Sequence, residues 1–458
     1  MSWRKTGYFA AHRLIGSRVG DYYQEFLDLH AGDPAQIDAL RDQRLDEVLS
    51  HAAQEVPFYR ERVKGARPKL VDFPIVRKSD LIGHFTKFMT PGLKDEFTSG
   101  RKPGVYSWIP VKSGGTTGEP VTVIHDRDFR DRGRASRLFS QYLCGIPLGT
   151  PHFLLWGSMK DINDMRDSTA KRVLNFFQSA HLLNAFRMDE QRLEEFIRLI
   201  DESPIEHMMG YVDAAHALVR FARRRKVRLR RLKSFMACAG TVTDDIRQAL
   251  TEGLASHIHN KYGTRECTDM ACEGENGRIN LYSHHTHLET VDETGRPVGA
   301  GSPGRILVTL LGNHSFPLIR YEVGDIGVLA DDRAAHLSPW PRLDRVEGRT
   351  TAVLYDTRGN YVSPVYIRHL IGVVHNPEAI QRFQLCQQTK THFELLLQIS
   401  PETETSKADE IGAAIDRDLR AVLGADAQIK VVRVAQIEES ASGKFDYIRN
   451  LLHREPAP

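Results

Sequence analysis

Six consecutive positions, Ser113-Gly114-Gly115-Thr116-Thr117-Gly118, hold three glycines and three hydroxyl side chains, with Lys112 before them and Glu119-Pro120 after. Glycine lets the backbone take positive φ and lie close against a ligand. Backbone N–H groups and Ser/Thr hydroxyls can donate to phosphate oxygens. An apolar run at residues 105–111 precedes the loop, and Val121-Thr122-Val123-Ile124 follows it. Both flanks read as strands, so the loop joins two strands and can wrap a polyanion. It is not a Walker A loop, which closes on Gly-Lys-Ser/Thr and enters a helix. Composition alone also fits a flexible Gly/Thr hairpin.

Residue order says more than composition. Ser-Gly-Gly-Thr-Thr-Gly-Glu-Pro closely resembles the phosphate loop of adenylate-forming enzymes, the acyl-CoA ligase and luciferase superfamily. Residues 40–59 and the run Phe73-Pro74-Ile75-Val76-Arg77-Lys78-Ser79-Asp80-Leu81 resemble the opening of its phenylacetate–CoA ligase family, including the capsular-polysaccharide type. Tyr262-Gly263-Thr264-Arg265-Glu266 is similar to the superfamily's Tyr-Gly-x-x-Glu. Arg320-Tyr321-Glu322-Val323-Gly324-Asp325 resembles the motif ending Thr-Gly-Asp, with Val323 in place of the threonine. Gly348-Arg349, followed by Gly359-Asn360-Tyr361-Val362-Ser363-Pro364, resembles the hinge between two domains, with Thr351 where the family usually has Asp. Ser440-Ala441-Ser442-Gly443-Lys444-Phe445 resembles the C-terminal loop that brings a catalytic lysine.

The resemblance implies an ATP-dependent ligase that activates a carboxylic acid, of aryl or related type, as an acyl-adenylate with release of pyrophosphate. The acyl group then passes to CoA or, in the alternative, to an amine; a non-catalytic nucleotide-binding relative is the remaining reading. In the first case Ser113, Gly114, Gly115, Thr116, Thr117 and Gly118 hold phosphates. Gly240, Thr241, Tyr262, Gly263, Asp325 and Arg349 complete the ATP/AMP site. Lys444, Glu266 and Thr117 are catalytic, and Glu266 is the Mg2+ ligand. Tyr262 offers a ring to stack on adenine, and a carboxylate is a hard oxygen donor suited to Mg2+. Trp156, Tyr211 and Ala239 are assigned to the acyl pocket.

The chain has 458 residues, 41% hydrophobic and 26% charged, with a net charge of +3. Length and composition fit two or three globular domains. The small charge gives no argument for nucleic acid or membrane binding, and no apolar run approaches the ~18 residues of a membrane span. The five cysteines, an odd number, imply no disulfide framework. Their reduced state and the lack of an apolar leader at residues 8–20 fit the cytoplasm. Cys267, Cys272, His284, His285 and His287 lie close in sequence. Their spacing is not a standard zinc finger, so buried packing is preferred to zinc.

Short strands alternate with helices up to residue 347, arguing for a layered α/β domain. Asp33-Pro34 opens one helix. Residues 126–145 form another, with Phe129, Leu138, Phe139, Tyr142 and Leu143 inward. Further helices cover 191–200, 214–221 and 246–254. Strands cover 153–157, 232–241, 306–311 and 316–323. A mobile α+β domain of residues 348–458, hinged near 348–361, follows as helix, strand, strand, helix, strand and a closing loop. The two together make a mixed α+β chain, for which a homodimer is one arrangement. Nine cations fall among residues 220–233. They read first as a solvated helix end. The functional alternative is a landing site for the phosphates of CoA, flanking Ala239-Gly240-Thr241.

Overall fold

The computed structural model describes residues 3–65, 67–101, 107–112, 121–156, 176–185, 190–238, 240, 242–331, 338–349, 354–358, 361–362, 367, 370–371, 379–437 and 447–452. Internal contacts divide the chain into two compact units, with the main boundary between Val346 and Glu347.

In the larger unit, β1 (Trp108–Lys112) and β2 (Thr122–Asp126) pair antiparallel with Lys112 opposite Thr122, so residues 113–121 connect a hairpin. Asp126 ends β2 and caps the next helix, Arg127–Leu143, by accepting from Phe129 N at 2.9 Å. Asn313 fixes this joint, donating to Ile124 O at 2.8 Å and accepting from Asp126 N at 3.1 Å.

Four strands follow, β3 (His152–Trp156), β4 (Ala180–Asn184), β5 (His207–Tyr211) and β6 (Leu232–Cys238), with helix Glu190–Glu202 between β4 and β5. Helix Val212–Arg225 joins β5 to β6, and helix Asp244–Gly253 joins β6 to β7 (Ala255–Thr264). These five strands are parallel in the order β4-β3-β5-β6-β7. The short apolar runs are parallel strands covered by helices, which is why Leu155, Met208, Phe235 and Met236 are buried.

Antiparallel strands extend the sheet: β8 (Thr268–Glu273), β9 (Ile279–Leu281), β10 (Thr286–Val291), β11 (Pro303–Leu310), β12 (Tyr321–Leu329) and β13 (Arg342–Arg349). All eleven strands run in the order β10-β11-β12-β13-β9-β8-β7-β6-β5-β3-β4. The strand expected at 316–323 starts instead at Tyr321. Pro317 lacks a ladder donor. Arg320 takes φ +51° and turns its guanidinium to Glu289, Phe73 O and Gly295 O. Tyr142, expected to face inward, is 41% exposed.

The smaller unit carries a two-stranded piece, β14 (Leu354–Tyr355) with β15 (Tyr361–Val362), and a four-stranded sheet. The sheet is built from β16 (Ile380–Gln387), β17 (His392–Ile399), β18 (Gln428–Arg433) and β19 (Ile448–Asn450) in the order β18-β17-β16-β19. Helix Thr405–Leu423 buries Ala408, Ile411, Ile415, Leu419 and Leu423, a helical-period stripe facing this sheet. The first helix expected here falls mostly outside the described residues. The expected closing loop contains β19, three residues parallel to β16.

Candidate functional site

Glu266 sits on the turn joining β7 to β8. Register partners Thr264 and Thr268 leave only residues 265–267 between the strands. Thr264 Oγ1 accepts from Cys267 N at 3.0 Å. A side chain at Gly263 would place its Cβ 2.4 Å from Thr268 O, so the Tyr-Gly order reflects close backbone approach rather than turn composition. Thr268 takes φ +65°, uncommon for a β-branched residue. Its hydroxyl lies 2.9 Å from His285 Nε2. Strain of this kind, of order 1–3 kcal/mol, persists where the surroundings over-determine it and clusters at functional sites.

Sequence reasoning missed the residue that ties this turn to the hairpin. His125, on β2, lies 2.8 Å from the Glu266 carbonyl oxygen through Nε2, so that nitrogen carries the proton and donates. Burial pushes the His125 pKa down to about 4; the bond to Glu266 opposes this shift, and Arg130 reinforces it. The ring is therefore neutral. The strand leaving the Ser113–Gly118 loop is thus fastened to the backbone of the Tyr-Gly-x-x-Glu turn. A lone histidine in an apolar strand gave no signal of this in sequence.

A second set of residues gathers where the parallel strands end. The chain passes from β3 out to β4 and then returns to β5 on the other side of β3. Ligands of open α/β sheets bind at such a switch point, outside the carboxyl ends of the strands. Trp156 ends β3 and Tyr211 ends β5, and their ring centroids are 4.5 Å apart. Tyr211 is the register partner of Cys238, after which Ala239 follows. Gly240 takes φ +156°, and a Cβ there would meet Val212 Cβ at 3.0 Å. Tyr262 is half-buried near the end of β7. Lys261, beside it, donates to Asp269 at 2.7 Å, and the two side chains are only 13% and 6% exposed. Burial works against the Lys261 charge, but Asp269 and Cys238 outweigh it and its pKa ends above the usual value.

Asp325 is half-buried within β12, and Arg349 is the last residue of β13. Ser113, Gly114, Gly115, Thr116, Thr117, Gly118, Ala239, Thr241 and Lys444 lie outside the described residues. Among the described residues no three His, Cys, Asp or Glu groups stand within reach of one metal ion. Cys272 Sγ faces Cys144 Sγ at 3.5 Å, His285 stacks on Phe129, and His284 lies 3.6 Å from Glu25.

The basic run lies elsewhere than the strand ends. Helix Val212–Arg225 starts at the carboxyl end of β5 and carries its last turn ~20 Å away, toward the start of β6. Arg223 pairs with Glu252, Arg224 and Arg225 with Glu190, and Lys233 with Glu206, at 2.6–2.7 Å. The expectation that this run flanks Ala239–Thr241 therefore fails, because a helix of that length carries its end back across the sheet.

The fold matches a crystal structure of 2-hydroxyisobutyryl-CoA ligase in the postadenylation state, in complex with R3-HIB-AMP. The TM-score is 0.67 at 17% identity, covering 92% of this chain and 91% of that one. Residues 354–451 match the CapK C-terminal domain. Phenylacetate-coenzyme A ligase of Thermus thermophilus is 22% identical over 459 residues, spanning 90% of this chain and 96% of that protein. The chain is a homologue of phenylacetate-coenzyme A ligase and shares the fold of the CoA ligase structure it matches. The homologue is also similar to protein CapK of Staphylococcus aureus, 19% identical over 380 residues that cover 78% of this chain and 77% of that one.

Proposed function

We propose that this chain uses ATP to activate a carboxylic acid as an acyl-adenylate, releasing pyrophosphate, and then transfers the acyl group to CoA. The observation that carries this reading is the His125–Glu266 bond, which fastens the hairpin of the Gly/Thr loop to the Tyr-Gly-x-x-Glu turn. Adenylation joins two anions, so their repulsion must be offset and the attacking oxygen held in line with the α-phosphorus. Ser113, Gly114, Gly115, Thr116, Thr117 and Gly118 hold the outer phosphates. Tyr262 packs on the adenine beside Gly240, Thr241 and Gly263. Asp325 accepts from the ribose, and Arg349 closes the nucleotide site. Trp156, Tyr211 and Ala239 receive the acyl part. Glu266, on a rigid turn, offers a hard oxygen donor that fits Mg2+; when bound, that ion offsets negative charge on the phosphates. Lys444 arrives from a C-terminal domain of residues 348–458 as a point charge with three donors. A separate domain hinged near 348–361 can withdraw it before the second step. A reducing, cytoplasmic setting suits the five free cysteines.

The test is ATP–pyrophosphate exchange across aryl, fatty and amino acids, followed by addition of CoA or an amine. Acid-dependent exchange and a thioester product are expected. Exchange with an amide product alone moves the acceptor to an amine, and absence of exchange with every acid removes the ligase reading. Within the same assay, Glu266→Gln is expected to raise the Mg2+ concentration needed for half-maximal exchange by about tenfold or more, since the amide keeps size but loses the charge that holds the cation. An unchanged Mg2+ titration would make Glu266 a purely structural residue.

A further inference from the structure

Strand register places Trp156, Tyr211, Cys238 and Lys261 on one face of the sheet, in a row across the carboxyl ends of β3, β5, β6 and β7. Tyr211 is opposite Cys238, Ala237 is opposite Asn260, and one further step puts Lys261 beside Cys238. Strand side chains alternate faces, so Tyr262 belongs to the other side. The row begins with a ring pair, Trp156 on Tyr211, and ends in the buried ion pair of Lys261 with Asp269.

That ion pair has hydrogen-bonding capacity to spare. A lysine ammonium has three donors, and the recorded bond of Lys261 is the one to Asp269 Oδ1. Asp269 Oδ2 is buried with no hydrogen-bond partner. A buried charged oxygen left without a donor costs free energy, and breaking one partner of a buried pair is worse still. The arrangement thus presents free donors and a free acceptor side by side at the end of an aromatic wall. A second carboxylate on a ligand would meet Lys261 but face the bare Asp269 oxygen. An ammonium would meet Asp269 but face Lys261. A hydroxyl satisfies both, accepting from Lys261 and donating to Asp269 Oδ2.

Resting on the acid-activating function proposed above, we propose that the acid substrate carries a hydroxyl group, which the Lys261–Asp269 pair binds beside the Trp156–Tyr211 wall. A site built to hydrogen-bond a hydroxyl discriminates strongly against the analogue that lacks it, by up to ~10⁴-fold, because its own polar groups are then left unpaired.

The experiment compares matched acids with and without a hydroxyl, in aryl and short aliphatic series, by kcat/KM for ATP–pyrophosphate exchange. The wild type is expected to prefer the hydroxylated member of at least one pair by about tenfold or more. The double variant Lys261→Met/Asp269→Leu removes both charges together, avoiding the lone buried charge of either single change. It is expected to bring that ratio close to one, and a thermal melt run in parallel checks that it is folded. Equal rates for both members of every pair in the wild type overturn the proposal while leaving the ligase function standing. A preference that survives intact in the folded double variant assigns the hydroxyl contact elsewhere and also overturns it. If the double variant does not fold, Lys261→Arg replaces it: the larger, forked cation is expected to shift the ratio by about tenfold, and an unchanged ratio overturns the proposal. Absence of exchange with every acid removes the ligase reading and this proposal together.

Discussion

Lys444→Ala should slow adenylation by ~10²–10³-fold while leaving ATP binding nearly unchanged, the scale for removing one preorganised electrostatic group. The motivating residues are Ser442-Gly443-Lys444, in the segment between Ile437 and β19. Three arguments set the size of the effect. The lysine would meet negative charge that develops on the α-phosphate only as the mixed anhydride forms, so its contribution belongs to the transition state rather than to ground-state binding. In the proposed site the Gly/Thr loop, Tyr262 and Asp325 would still hold the nucleotide without it. A Mg2+ held through Glu266, as proposed, would still offset phosphate charge, so the loss stays well short of complete. Exchange kinetics paired with a direct ATP-binding titration separates these terms. A wild-type exchange rate would sink the role, and a rate loss that tracks weakened ATP binding would make Lys444 a binding residue instead. Lys444→Arg gives a finer reading. A point charge needs reach more than shape, so arginine should restore part of the rate if charge alone matters.

The adenylate-forming architecture was legible where a motif carries both order and local physics. The Gly/Thr run flanked by β-branched residues gave the β1–β2 hairpin, and Asp33, beside Pro34, caps its helix by accepting from Ala35 N at 2.8 Å. Alternating apolar positions on β17 and the stripe on helix Thr405–Leu423 gave the α+β character of the smaller unit. The expectation failed at 316–323, where apolar residues are buried as irregular chain. Periodicity registers burial there but not the backbone turn at Arg320. Strand β19 was missed because three residues, Ile448 to Asn450, are too few to show alternation. Long-range contacts were out of reach for a different reason. His125 reaches Glu266 across 141 positions, and the row from Trp156 to Lys261 exists only through register between strands distant in sequence. Lys261 was passed over because it reads as one polar residue just before the Tyr-Gly motif, and its pairing with Asp269 depends on the antiparallel return of β8.

The larger unit should lose stability steeply on mild acidification, by about 3–4 kcal/mol between pH 7 and 5.5. Three neutral histidines in its core supply that much, and His12 and His287, which burial also lowers to about 4, add to the loss in the same sense. Burial pushes His285 down to about 3, with Arg132 and Arg44 adding to the shift, and it pushes His125 to about 4. Burial, with Arg44 and His285 beside it, also holds His284 well below the ordinary range. Neither ring nitrogen of His284 has a hydrogen-bond partner. In the unfolded chain each would titrate near 6.5. Between that value and the lower folded one, the unfolded state binds more protons, so unfolding becomes easier as pH falls. The stabilisation is complete above about 6.5 and is lost progressively on acidification toward the folded values. Each histidine contributes about 1.3 kcal/mol over this window. Asp126 and Glu289 work in the opposite sense, since burial raises both carboxyls in the fold. Their effect enters as pH falls toward their raised folded-state values and the folded carboxyls begin to protonate ahead of the unfolded ones, which is why the window stops at 5.5. Urea unfolding at pH 7.0, 6.5, 6.0 and 5.5 measures the slope, and His285→Gln tests its origin. Glutamine can still meet the Thr268 hydroxyl but takes up no proton on unfolding, so the variant's slope should fall by about 0.6 proton on average, approaching one near pH 5.5. Stability that is flat across the window, or a His285→Gln slope equal to that of the wild type, would contradict the account of a neutral histidine core beneath the Glu266 turn.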